Sequence, residues 1–178
     1  MTGERGGMEV GDVLVEAYGR LPELVRSAVE GLEPEALRWT PDAGANPIGW
    51  LVWHLTRVQD DHVADILGLP QVWVEQGWAG RFGADPAPSD TGFGHTPQQV
   101  AALRPASGEL LIEYFTAVFE RTRGCLAGLR PEDLDRIVDE RWDPPVTLGV
   151  RLVSVLDDDC QHVGQAAYVR GLLERHRG

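Results

Sequence analysis

The chain has 178 residues, the size of one ordinary domain, with 43% hydrophobic and 25% charged side chains, the proportions of a folded globular protein. Its 28 acids outweigh 16 bases for a net charge of −12, and every one of those bases is arginine. The missing lysine excludes a P-loop and Schiff-base chemistry, and the acidity argues against a general nucleic-acid-binding surface.

The first helix is expected from about Val10 to Gly31, where Leu14, Ala17, Tyr18, Leu21, Val25 and Ala28 recur at 3- and 4-residue spacing. Pro22 falls inside that pattern and predicts a kink or break. The second helix runs from Ile48 to Leu67, with Asn46 as N-cap, Pro47 in the first turn, and Gly68 and Pro70 as stop signals. Residues 69–96 form a long connection rich in glycine, proline and aromatics, including Trp73, Trp78, Phe82 and Phe93. So long a connection is usually functional or disordered, and its aromatics favour an ordered excursion. Between helices two and three of a bundle, such a crossover lets those helices run parallel.

Thr96-Pro97-Gln98-Gln99 is a capping-box pattern opening a short helix to Leu103. Pro105 interrupts, and a long third helix follows from about Ala106 to Leu129. Thr147 is the expected cap of a fourth helix reaching about Glu174. No stretch alternates as a strand would, so the fold class is all-α, a four-helix bundle in one domain. An internal echo joins Gly31-Leu32-Glu33-Pro34-Glu35-Ala36-Leu37 to Gly128-Leu129-Arg130-Pro131-Glu132-Asp133-Leu134, each followed by a tryptophan, Trp39 or Trp142. A pseudo-repeat of two helix pairs and a chance match both explain it.

The chemistry centres on histidine. His54 sits in the apolar run Gly49-Trp50-Leu51-Val52-Trp53-His54-Leu55, which predicts an inward-facing imidazole. Taken alone it reads as a core histidine with one satisfied nitrogen. Asp158 and His162 are four residues apart, on one face of the fourth helix about one turn apart. That spacing serves either a solvated acid–histidine pair or two ligands of one metal ion. Combining His54 with Asp158 and His162 yields two imidazoles and a carboxylate, a set that leaves coordination positions open. Zinc is the default ion, with iron(II) and nickel also compatible. Asp159 is placed to orient the His162 ring, while Asp61 is placed to line the pocket one level further along. Arg57 reads as part of an exposed flank with Asp61 and His62. Cys160 is rotated ~200° from both Asp158 and His162, so it is rejected as a ligand.

Two segments carry a resemblance. Asn46-Pro47-Ile48-Gly49-Trp50-Leu51-Val52-Trp53-His54-Leu55, with Asp60-Asp61-His62 after it, resembles the second helix of the DinB-like metal-binding family. Asp158 to Gly171, centred on Gln161-His162-Val163-Gly164-Gln165, resembles that family's fourth helix, and Leu32-Glu33-Pro34-Glu35-Ala36-Leu37-Arg38-Trp39 resembles the approach to its second. The resemblance implies a four-helix bundle with one metal held by three residues of helices two and four, commonly histidines. It also implies chemistry like that of family members that are thiol S-transferases or a mycothiol-dependent isomerase. On this chain the family's histidine positions fall at His54 and His162. Position 158 departs, since aspartate stands where histidine or glutamate is commoner; being shorter, it requires a closer helix approach or a bridging water.

The resulting expectation is a metal-dependent thiol transferase or thiol-assisted isomerase acting on a small molecule. A non-catalytic metal-binding bundle acting in stress response is the alternative. In the enzyme reading Arg57, Arg151 or Arg170 holds an anionic group, and Trp53, Trp73 and Trp78 wall the pocket. The all-arginine composition resembles high-GC codon usage and suits an actinobacterial host, which makes mycothiol the first thiol to try. Two cysteines form no disulfide framework, and neither a signal peptide nor a membrane-length apolar run is visible. A cytoplasmic location and a homodimer are expected.

Overall fold

The computed structural model describes residues 8–84 and 87–178. The amphipathic first segment is two helices, α1 (Val10–Tyr18) and α2 (Leu21–Val29). The break falls just before Pro22, which occupies the first turn of α2, where its missing N–H costs nothing. A short α3 (Pro34–Arg38) leads into α4 (Ile48–Leu67), which has the expected span but Pro47 rather than Asn46 at its N-cap. Two short helices, α5 (Val72–Glu75) and α6 (Trp78–Phe82), order part of the crossover.

The Thr96–Gln99 capping box opens α7 (Pro97–Ala102), and Ser107 caps α8 (Gly108–Leu126) through the Leu110 N–H. A 3-10 turn (Pro131–Asp135) and a two-stranded hairpin, β1 (Ile137–Asp139) with β2 (Val146–Thr147), precede α9 (Leu148–Arg177). The hairpin corrects the strand-free reading, since strands of three and two residues are too short to show alternation. Thr147 caps α9 as expected, accepting from the Val150 N–H. The internal echo persists locally, because Pro34 and Pro131 each open a helical turn. It fades afterwards: Trp39 packs against the core, whereas Trp142 is 65% exposed.

The bundle's directions follow from specific contacts. Tyr18 donates to the Leu152 carbonyl, and Arg170 donates to those of Ser27 and Glu30, so α1–α2 runs parallel to α9. On α4, His54 faces His162 while His62 meets Arg151, so α4 is antiparallel to α9. Gly49 near the start of α4 lies against Pro105 just before α8, and Gln59 further along pairs with Thr122, which places α8 alongside α4 in the same sense, as a long crossover permits. The core is filled by Tyr18, Leu37, Ile48, Leu51, Trp53, Trp73, Leu111, Tyr114 and Phe115. Among the described residues no helix is long and apolar enough to cross a membrane.

Candidate metal centre

Antiparallel packing of α4 on α9 brings His54 to His162, with ring centroids 4.7 Å apart at 66°. Asp158 joins them from one turn earlier on α9, and one donor atom from each of the three lies within 4.8 Å of the others. His54 is buried beneath Trp50, whose indole stacks on it at 4.6 Å. The carbonyl of Thr91, in the crossover, lies 2.5 Å from His54 Nδ1. A carbonyl only accepts, so Nδ1 carries the proton and Nε2 keeps its lone pair. His162 is arranged alike: its Nδ1 donates to the Asp158 carbonyl at 2.9 Å. The two imidazoles therefore share one tautomer, each with Nε2 free.

Asp158 completes the set. Its Oδ2 is buried and has no hydrogen-bond partner among the described residues. An unsatisfied buried carboxylate oxygen beside two imidazoles is costly unless a cation completes it. The donors thus fit a divalent ion, and three protein donors leave room for an exogenous ligand. Burial, the largest influence, lowers the His54 pKa; the Thr91 carbonyl opposes it, His162 adds to it and Asp158 opposes it. The neutral form that burial favours is the one that ligates. The side chains of His162 and Asp158 are 19% and 29% exposed, so the centre opens toward solvent along α9.

The surrounding residues differ from their sequence reading. Arg57 is fully buried, not on an exposed flank. It donates to the carbonyls of Pro88 (2.8 Å) and Asp90 (3.0 Å), approaches Asp60 and Tyr114, and lies over the Trp73 ring. It therefore pins the crossover to α4 and has no group free for substrate. Arg151 is held by Asp139 at 2.9 Å, and Arg170 by backbone carbonyls of α2 and its end, so neither is a free anion anchor. Asp159 does not orient His162. It is fully buried in the core near Tyr18, where burial pushes its carboxyl pKa up, and the His162 ring is held by the Asp158 backbone instead.

Asp61 accepts from Gln71 at 2.6 Å and lines a separate depression with Leu69, Pro70 and Pro88. Trp53 is buried under the crossover, stacked against His95 and edge-on to Trp73. Trp73 itself belongs to the core with Phe82 and Tyr114. Cys160 is exposed, in a groove shared with Leu24 and Ser27 of α2.

The sequence reading missed the crossover's part in the centre. Trp50 Nε1 donates to His95 Nδ1, and His95 Nε2 in turn donates to Asp90 Oδ1 at 2.8 Å. Gly92, with φ +90°, passes so close that a Cβ there would lie 2.9 Å from His54 Nδ1. Only the glycine pair around Phe93 hinted at such a turn.

With helices, ligand positions and crossover in place, the comparison with known proteins is decisive: the profile of the DinB superfamily matches residues 17–166. The chain belongs to the DinB superfamily. A crystal structure of a "conserved protein of locus" from Enterococcus faecalis is similar to this DinB-superfamily chain at 30% identity. The two superpose with a TM-score of 0.86 over 94% of this chain and 98% of the other. No curated protein is significantly similar to it in sequence.

Proposed function

We propose that this DinB-superfamily protein binds a divalent ion, zinc by default, through His54, Asp158 and His162. We further propose that it acts as a thiol S-transferase or thiol-assisted isomerase on a small molecule, with a low-molecular-weight thiol such as mycothiol, in the cytoplasm and as a homodimer. The observation that carries the reading is the convergence of one donor atom from each of His54, Asp158 and His162 within 4.8 Å, with a buried Asp158 carboxylate oxygen that has no hydrogen-bond partner among the described residues. A coordinated thiol would be held there as thiolate, so the ion would supply the nucleophile's activation. The chain's own residues orient the imidazoles, through the Thr91 carbonyl for His54 and the Asp158 carbonyl for His162. No protein nucleophile is required, which accords with Cys160 lying outside the donor cluster.

Metal analysis of untagged protein tests the first step. About one zinc, nickel or iron per chain is expected, lost in His54→Ala and His162→Ala; no metal uptake under any supplementation overturns it. Incubation of the loaded protein with mycothiol, bacillithiol or glutathione and a panel of electrophiles tests the second. Metal-dependent adduct formation supports transfer. Metal binding without turnover on the whole panel reduces the function to binding.

A further inference from the structure

A cleft between α4 and α9 opens one turn beyond the histidines, which do not themselves line it. Leu51 precedes His54 by three residues and Gln165 follows His162 by three, so each stands one helical turn, ~5 Å, further along its helix face. Because α4 and α9 are antiparallel, both steps lead toward the same end of the cleft. There Leu51 and Gln165 border a cavity of about 330 Å³ completed by Asp42, Asn46, Tyr168 and Leu172, among others. That volume falls within the roughly 300–1,000 Å³ of small-molecule sites.

The lining specifies a chemistry. Leu51, Leu172 and the Tyr168 ring offer apolar surface, while the Asn46 and Gln165 amides and the Tyr168 hydroxyl offer hydrogen bonds to neutral groups. Asp42 is the only charged lining residue among those described. Its Oδ1 accepts the Gly44 N–H at 2.8 Å, which fixes the carboxylate at the rim. No guanidinium lines this cavity: Arg57 is spent on the crossover, Arg151 on Asp139 at the opposite end of the cleft, and Arg170 on α2. The net charge of −12 adds long-range repulsion of anions.

We infer that this cavity seats the non-reacting part of the thiol, and that this part is neutral or cationic and partly apolar; a thiol bearing a carboxylate there is rejected. The inference rests on the thiol-using metal centre proposed above. Cobalt(II)-loaded full-length protein, titrated with benzyl mercaptan and its para-aminomethyl and para-carboxylate derivatives, reports thiolate binding as a new absorption band. The neutral and cationic thiols are expected to saturate at concentrations at least tenfold lower than the carboxylate. Asp42→Asn, which can keep the Gly44 contact, narrows that gap, and Asp42→Arg closes or reverses it. Equal binding of all three thiols, or a gap that Asp42→Arg leaves unchanged, overturns the inference while leaving the metal centre standing. No band with any thiol on cobalt-loaded protein overturns the thiol-using reading and the inference with it.

Discussion

The Thr91 carbonyl oxygen lies 2.5 Å from His54 Nδ1, joining the crossover to a proposed metal ligand from which it is separated by 37 residues. Around that contact Arg57 ties down Pro88 and Asp90, while Asp90 binds both His95 and the Gly92 N–H. Each bond is ordinary, but together they hold one short backbone stretch against α4. The crossover is thus a wall of the candidate metal centre as much as a connection between helices.

Gly92→Ala is predicted to weaken metal binding without unfolding the bundle. The new methyl group would lie 2.8 Å from Trp53 Cζ3 and 2.9 Å from His54 Nδ1, and φ +90° is strained for alanine. The crossover must lift, and His54 loses its orienting acceptor. Loss of such an outer contact typically costs about 10- to 100-fold in metal affinity. Competition with a chromophoric chelator measures it, and unchanged helical circular dichroism separates it from unfolding. Wild-type affinity in Gly92→Ala would refute the role of the clamp.

Arg57→Met should be among the most destabilising single changes. It strips the Asp90 carbonyl of its arginine donor, leaves the Pro88 carbonyl with Gln71 alone, and leaves Asp60 buried without its cation. Breaking a buried pair in this way costs about 3–5 kcal/mol. Urea denaturation measures the loss. Arg57→Lys is expected to recover little, because a lysine ammonium cannot reproduce the forked contacts.

Metal should stabilise the fold through the same three ligands. At a free zinc concentration one hundred times Kd, linkage contributes about 2.7 kcal/mol. For a domain of this size that is a rise of roughly 5–10 °C in Tm. His54→Ala and His162→Ala are expected to abolish the rise, and a rise that survives both would place the ion elsewhere. Thermal unfolding with and without chelator reads both outcomes.

Tyr18 predicts an alkaline limit. Burial first, and then the nearby Asp159, raises its pKa well above that of a free phenol, and its hydroxyl donates to the Leu152 carbonyl at 2.6 Å. Because the folded pKa is raised, its stabilising contribution is complete below the unfolded value of ~10 and is lost as pH climbs above it. Tyr114 is shifted in the same direction by burial and adds to the effect. Tyr18→Phe should lose about 1 kcal/mol at neutral pH and show a shallower stability decline above pH ~10. Denaturation midpoints between pH 8 and 11, values chosen to bracket roughly the phenol range, test this.

Much of the bundle was legible because helix signals are local. Proline at the start of α2, glycine at the end of α4, and the threonine caps of α7 and α9 act within a turn of their own positions. The same locality places Asp158 and His162 on one face, since 3.6 residues per turn is a property of the backbone. Whether a face meets solvent, another helix or a loop is a long-range matter. Arg57 reads as an exposed charge until the crossover covers it, and Asp159 reads as a partner for His162 until α9 turns it toward Tyr18.

The sequence by itself determined the long helices, several of their caps and the three candidate ligands, because periodicity and capping depend on neighbours along the chain. Only the tertiary structure decided which nitrogen each histidine presents, that the crossover walls the centre, and that the arginines are already engaged. The His54 orientation depends on a backbone carbonyl, and every residue has one. No side-chain pattern marks Thr91 for that task; folding the crossover onto α4 does.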